Sequence, residues 1–205
     1  TTQFPAFTPT GINRLTSYQM FFITTDEIAV LTSLQISAIN PNIVPNIETR
    51  QILALSSLQI SAFTSAQVAN LTTTSIFILS SLQIVAINPN AVPGLTTAGI
   101  LTLTTTQFGA FTFNGINSLT SKQLQYITTT GISILTTLQI VAINPNAITG
   151  LTTAGILALA TRQVVAINPN GISKLLTQQV DALIPSQIVA LTTLQINNLT
   201  LSQLA

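Results

Sequence analysis

The sequence predicts an all-α fold, a solenoid of short N-capped helices with an eight-residue repeat. Every eighth residue from Phe7 to Leu199 is Leu, Ile or Phe. A second series, offset by five residues and running from Phe4 to Leu204, is apolar throughout. With 47% hydrophobic residues in the chain, chance agreement at all of these positions is on the order of 10⁻¹⁷. A strict short period is typical of solenoids, in which each unit packs only on its neighbours.

The start of each octad carries helix-start signals. Its positions are numbered from the first apolar series, which is position zero. Position one is Thr, Ser or Asn in most octads, as at Thr32, Ser56 and Asn88, and these are favoured N-cap residues. Position two is the first helical position, where the missing N–H of a proline costs no hydrogen bond. Six of the nine prolines lie there: Pro9, Pro41, Pro89, Pro145, Pro169 and Pro185.

The later positions complete a capping motif. Gln is the commonest residue at position four, and Thr-x-x-Gln is a capping box in which the Gln side chain bonds the N–H of the cap residue. Positions zero and five are then the two apolar partners of a hydrophobic staple. We expect short helices that start near Thr32, Thr64, Thr96 and Thr136.

A continuous helix does not fit this period. Eight residues at 100° each advance an apolar stripe by about 80° per octad, so the stripe would face no single core. The extended conformation of an N-cap residue and the recurrent prolines break the helix once per octad. Positions zero and five should form the core. Position three, which holds Asp26, Arg50, Lys122 and Arg162, should be exposed.

A β-solenoid remains an alternative at this point. Thr, Ile, Val and Asn favour strands or turns. A flat strand cannot bury both position five and the next position zero, because the two have opposite parity. A corner between them would allow both to be buried. Six octads also carry glycine at position four: Gly11, Gly99, Gly115, Gly131, Gly155 and Gly171.

Sets of three octads also resemble one another. Residues 80–103 nearly repeat at 136–159, with a diverged copy at 32–55. The offsets between these copies are 48 residues (80 − 32) and 56 residues (136 − 80), both multiples of eight. Only the first is a multiple of 24, which indicates that the octad is the structural unit. A coil with three octads per turn is a hypothesis that the pattern leaves open.

The domain prediction is one octapeptide-repeat solenoid, residues 1–205, with about 25 repeats and no capping units. Ordering eight residues costs on the order of 12 kcal/mol, whereas burying two large apolar side chains returns about 3–6 kcal/mol. One octad therefore cannot fold alone. The pattern runs from Gln3-Phe4 to Gln203-Leu204, and solenoids usually end in polar caps. We expect further octads, in a longer chain or through end-to-end contacts between copies.

Composition excludes several functional classes. The chain has five basic and four acidic residues and a formal net charge of +1, which predicts no nucleic-acid partner. Polar residues interrupt every apolar run well before the ~18 residues that a membrane span needs. There is no Cys and no His, so disulfides, haem ligation and the usual zinc ligands are not expected. No cofactor is predicted.

Catalytic side chains are also scarce. The adjacent carboxylates Asp26 and Glu27 lie at positions three and four, in the first turn of a predicted helix, where negative charge complements the helix dipole. We interpret them as helix-start charges, not as an acid pair. The many hydroxyl groups have no base to activate them. The sequence predicts no catalytic, cofactor-binding or metal-binding residue, and no enzymatic activity.

Several segments resemble a known class of repeat. LTSLQISAI (31–39), LTSKQLQYI (119–127) and LTTLQIVAI (135–143) are similar to the LTTxQIxAL octapeptide arrays of large bacterial surface proteins described as adhesin-like. The resemblance covers essentially the whole chain. It implies a secreted or surface-exposed repeat region of a bacterial protein.

These observations predict a structural extracellular repeat protein that serves as a stalk, a filament subunit or an adhesive fibre. Its expected partner is a second copy, bound head-to-tail or laterally. A Thr-rich binding module for ice or a surface glycan is the alternative, because Thr-Thr pairs recur along the chain and could form a regular hydroxyl array.

Overall fold

The structure is a computed structural model that describes residues 6–204. The protein is 66% helical, and no strand occurs among the described residues. The all-α prediction is therefore confirmed, and the β-solenoid alternative is wrong. The chain divides into two compact units, an N-terminal unit, Thr1–Leu103, and a C-terminal unit, Thr104–Ala205.

In the N-terminal unit each helix packs on the helix three octads, or 24 residues, further along the chain, which forms three stacks. The first stack contains the α-helices Pro9–Asn13, Ser33–Ala38, Ser57–Ser61 and Ser81–Ala86. The second contains the α-helices Ser17–Phe22 and Ser65–Ala69 and the 3-10 helices Pro41–Asn46 and Pro89–Gly94. The third contains the α-helices Thr25–Ala29, Thr49–Ala54, Thr73–Ile78 and Thr97–Thr102.

The C-terminal unit follows the same rule. Its first stack contains the α-helices Thr105–Ala110, Thr129–Ser133, Thr153–Leu157 and Thr177–Asp181 and the 3-10 helix Leu201–Gln203. Its second contains the α-helices Phe113–Asn117, Thr137–Ala142, Thr161–Val165 and Pro185–Val189. In the third, the α-helix Ser121–Gln125 packs on the 3-10 helix Ile148–Gly150, and the α-helix Pro169–Ile172 packs on the α-helix Thr193–Asn197. Within each unit, three octads thus make one turn of a coil.

The helices begin where the capping motif predicts. Thr32, Thr64, Thr96 and Thr136 are N-caps with extended backbone, and each side chain accepts a hydrogen bond from the N–H at position four. For Thr136 this bond is 3.2 Å long. The expected helix starts are confirmed.

Four octads depart from the pattern at position one, with Glu48, Ala160, Leu176 and Ile184. None of these side chains accepts a cap hydrogen bond. Half of the capping box remains, because the cap N–H still donates to the Gln side chain, at 2.7 Å from Ala160 to Gln163 Oε1. In these octads the Gln alone provides the side-chain part of the cap.

Each helix is short because the residue at position zero adopts an extended backbone, which ends the helix. The N–H of Ile39 still bonds the carbonyl of Ile36, at 3.1 Å, but its own backbone is extended (φ −58°, ψ 127°). The next N-cap then starts a new helix. Asn-Pro-Asn octads form 3-10 helices at Pro41–Asn46 and Pro89–Gly94, where an internal proline lacks the N–H that an α-helix needs.

The core consists mainly of positions zero and five. Leu135 is 2% exposed and Ile140 1%, whereas Lys122 is exposed, so the predicted register is confirmed. The exceptions include Ile188 and Ile196, which are about half exposed. Both lie in the last three octads of the described residues.

Two glycines mark a close approach between turns. A Cβ on Gly94 would overlap the main-chain carbonyl of Ser65, and a Cβ on Gly150 would overlap that of Ser121. Both glycines occupy position seven of an Asn-Pro-Asn octad. Only a residue without a side chain fits where the 3-10 helix brings the two backbones together.

Candidate functional site

The predicted carboxylate pair lies at a helix start, as expected. The Glu27 carboxylate accepts hydrogen bonds from the Thr24 N–H at 2.9 Å and from the Thr24 hydroxyl at 3.0 Å. The backbone hydrogen bond is the main cause that lowers the pKa of Glu27, partial burial opposes it, and the hydroxyl bond adds to it. Asp26 is exposed. Glu27 thus caps its helix in the place that Gln takes in other octads.

The other charged side chains of the described residues contribute one ion pair. Arg50 and Glu48 make an ion pair on the surface of the N-terminal unit. Within residues 6–204 no three His, Cys, Asp or Glu side chains come together in a group that could hold a metal ion. The expectation that the chain has no catalytic, cofactor or metal site stays a prediction.

The repeated functional element of the structure is the Gln at position four, and Gln59 shows its geometry. Its Oε1 accepts hydrogen bonds from the N–H and the hydroxyl of Ser56, at 2.9 and 3.1 Å. Its Nε2 donates to the carbonyls of Ile28 and Leu31 in the preceding turn, both at 2.8 Å. One amide therefore joins the start of its own helix to the preceding turn of the coil.

The same connection recurs at a fixed separation. In each case the amide nitrogen donates to the carbonyls 28 and 31 residues earlier, which belong to positions zero and five. The residues that make both bonds are Gln51, Gln59, Gln67 and Gln83 in the N-terminal unit and Gln139, Gln163, Gln179, Gln187, Gln195 and Gln203 in the C-terminal unit. All ten side chains are buried.

These hydrogen bonds provide partners for backbone N–H and carbonyl groups that a short helix leaves unpaired. A helix of five or six residues leaves most of its N–H and carbonyl groups without internal partners. The position-four Gln supplies an acceptor at the start of one helix and two donors at the end of another. Each such hydrogen bond contributes about 0.5–1.5 kcal/mol, and leaving a buried partner unpaired costs about 1–3 kcal/mol.

The sequence predicts the bond to the cap residue but not the carbonyls that the Gln amide reaches. The capping box predicted the bond to the cap residue. The ten Gln amides bond main-chain carbonyls of the preceding turn and not one another. The signal that would have predicted the targets is the 24-residue turn, which the octad alone does not reveal.

Glycine replaces Gln at position four in six octads, and the space around these glycines differs. A Cβ on Gly131 would lie 3.1 Å from the Phe108 ring and 3.0 Å from Ile127, tighter than most packed contacts. A Cβ on Gly155 would lie 3.9 Å from Ile132, an ordinary contact, and 3.3 Å from the Thr152 hydroxyl. The two positions therefore differ in the room that they offer to a side chain.

The surface of the N-terminal unit carries a row of exposed leucines. Leu34, Leu58 and Leu82 lie at position three of successive octads in the first stack, and they are 72%, 70% and 73% exposed. We call these three residues the leucine row. Their octads, 31–38, 55–62 and 79–86, contain no charged residue.

Threonines form rows at the same spacing. Position two is Thr in every octad of the third stack of the N-terminal unit and in four octads of the first stack of the C-terminal unit. These threonine rows are Thr25, Thr49, Thr73 and Thr97, and Thr105, Thr129, Thr153 and Thr177. All eight residues are exposed or half-buried.

Comparison with known proteins supports the repeat assignment. Among residues 6–204 no helix has the length and apolar character needed to cross a membrane. No curated protein matches the chain. Residues 44–81 match the family of the ALTTAQ repeat. The chain is a helical repeat protein with a segment similar to the ALTTAQ repeat.

Proposed function

We propose that this protein is a structural, extracellular repeat protein that acts as a stalk, filament subunit or adhesive fibre. The observation that carries the proposal is the Gln connection, which joins each turn to the preceding one by the same hydrogen bonds. Repetition of one connection is what an extensible scaffold requires, because each added turn meets the same surface as the turn before it. The chain has no enzymatic role in this proposal.

The low charge of the chain supports the same function. Nine charged residues in 205 give little long-range repulsion between copies. Self-association, either head-to-tail or lateral, therefore meets no electrostatic barrier. The resemblance of residues 31–39, 119–127 and 135–143 to surface-protein arrays supports a location outside a bacterial cell.

Three measurements test this function. Light scattering of the purified chain across a concentration series should show a rising average mass, and electron micrographs should show assemblies. Antibodies against the chain should label intact cells of the source organism. Strictly monomeric protein at every concentration would contradict the assembly function, and labelling only after permeabilisation would contradict the location.

The threonine rows favour a second candidate, a binding module for ice or a surface glycan. They present hydroxyl groups and methyl groups at a regular spacing of one turn. Thermal-hysteresis and glycan-array measurements test this function. Activity that is lost when Thr129 and Thr153 become Val, without loss of helical signal, would support it. No activity in the unmodified protein would exclude it.

A further inference from the structure

We propose that the leucine row is an interface with a second copy of this chain, which packs laterally and antiparallel. A two-fold axis would pass through Leu58 and place Leu34 opposite the partner's Leu82. The proposal deepens the assembly function proposed above and rests on it, because it names the face through which two copies meet.

Stacking places the three leucines in one row across successive turns. The three octads read LTSLQISA, LSSLQISA and LSSLQIVA, so almost the same residues lie at the same places on successive turns. Packed helix axes are about 8–10 Å apart, which places neighbouring leucines at about that spacing. A single exposed leucine is ordinary on a protein surface. A contiguous apolar patch is typical of an interaction site.

The absence of charged residues around the leucine row favours an apolar partner. Position three holds Arg50, Lys122 and Arg162 in other octads, and all three are exposed. Residues 31–38, 55–62 and 79–86 contain none of the nine charged residues of the chain. The flanking positions two are all Ser. This surface therefore offers apolar contact framed by small polar groups, which resembles the core and rim of a protein interface.

The even spacing makes the row complementary to itself. In a two-fold contact the same patch serves both subunits, so each contact occurs twice. Three equally spaced leucines satisfy this condition with Leu58 at the centre. Complete burial of the row with its flanking Ser and Ala residues would cover at most about 600 Å² on each copy, a total of about 1,200 Å², which is the lower limit for specific interfaces. A partner with a different axial spacing would align with only one leucine.

Replacement of Leu58 by Lys tests the face, and Leu138 provides a matched control. Lys is a natural residue at position three, as Lys122 shows, so the fold should persist. Leu138 lies at the same position and is 72% exposed, but its neighbours one turn away are Asn114 and Arg162, not leucines. In analytical ultracentrifugation, Leu58→Lys should raise the dimer dissociation constant at least about tenfold, as expected for a central interface residue. Leu138→Lys should leave it unchanged.

Cysteine cross-linking tests the symmetry, since the chain has no cysteine of its own. Leu58→Cys alone should form a disulfide-linked dimer on mild oxidation, because the two thiols meet at the axis. Leu34→Cys should cross-link in an equimolar mixture with Leu82→Cys and not by itself. Cross-linking of Leu34→Cys to itself would overturn the antiparallel arrangement.

The outcomes separate this proposal from the function on which it rests. If the unmodified protein associates and Leu58→Lys associates equally well, the leucine row is not the interface, and the assembly function stands. If the unmodified protein is monomeric at every concentration, both are wrong. Weakening by Leu58→Lys together with the predicted cysteine pattern would support both.

Discussion

The side-chain amide of Gln59 donates a 2.8 Å hydrogen bond to the main-chain carbonyl of Leu31, 28 residues earlier in the chain. Leu31 is the position-zero residue at which one octad begins, three octads before the octad of Gln59. The bond therefore joins two successive turns of the coil. The stability of the protein should depend on these buried amides in addition to the apolar core.

Replacement of Gln67 by Leu should destabilise the N-terminal unit. Gln67 is fully buried and bonds the carbonyls of Ile36 and Ile39, both at 2.8 Å. Leu fills a similar volume, but it removes the donor to the Ile39 carbonyl, leaves the Ile36 carbonyl with only the Ile39 N–H, and removes the acceptor for the cap. The expected loss in the free energy of unfolding is about 2–5 kcal/mol, measured by urea denaturation.

Gln19→Leu is the matched control for this change. Gln19 caps Thr16 at 2.9 Å but is exposed. Its replacement should remove only the cap contribution, about 0.5–1 kcal/mol. Equal losses for Gln67→Leu and Gln19→Leu would show that the bonds between turns contribute nothing.

Gly155→Gln should stabilise the C-terminal unit. The change removes a helical glycine, which alone is worth about 0.5–1 kcal/mol, and gives the cap Thr152 an acceptor. At the separation found elsewhere, the new amide would reach the carbonyls of Leu124 and Ile127. We expect a higher midpoint temperature of thermal unfolding.

Gly131→Gln should lower the midpoint temperature, because the Phe108 ring occupies the space that the new side chain would need. The same sign for both substitutions would contradict the packing described for these sites.

Gly150→Ala should be strongly destabilising. Its Cβ would overlap the carbonyl of Ser121, and a backbone cannot move aside as a flexible side chain can. The expected cost is at least about 3 kcal/mol by thermal or chemical denaturation. Gly109→Ala is the control, because its Cβ would meet only Ile134 at 3.9 Å and the new residue favours the helix. A cost below 1 kcal/mol for Gly150→Ala would show that the two turns do not approach so closely.

The stability of the N-terminal unit should decrease slightly in acid because of Glu27. The pKa of this carboxyl is lowered from its ordinary value of 4.5 in the folded protein, so the ionised form favours folding. This contribution is complete above pH 4.5 and is lost as the pH falls through the lowered pKa. Glu27→Gln, which supplies the residue of other octads, should remove this dependence between about pH 5 and 2 in thermal melts. An unchanged pH profile would contradict the cap role.

Local structure could be predicted from the sequence because its causes are local. The cap at Thr64 and its bond to Gln67 lie within four residues, so the motif contains all the information. Even Ala160, which cannot cap, begins a helix because Gln163 still bonds its N–H. The burial of positions zero and five followed from the same register.

The turn of the coil could not be derived in this way. Packing between residues 24 apart determines it, and an octad pattern is compatible with any whole number of octads per turn. The targets of the Gln amides and the leucine row depend on that number. Leu34 could be placed on the surface from the charged residues that share its position, but its alignment with Leu58 needed the three-octad turn.

The most direct test of this three-octad coil is the set of nuclear Overhauser contacts of the Gln59 side-chain amide in an isotopically labelled protein. The coil predicts cross-peaks from the Gln59 amide protons to Ile28 and Leu31, together with slow exchange of those protons with solvent. Cross-peaks to residues one or two octads away, or rapid exchange without contacts to the preceding turn, would contradict it.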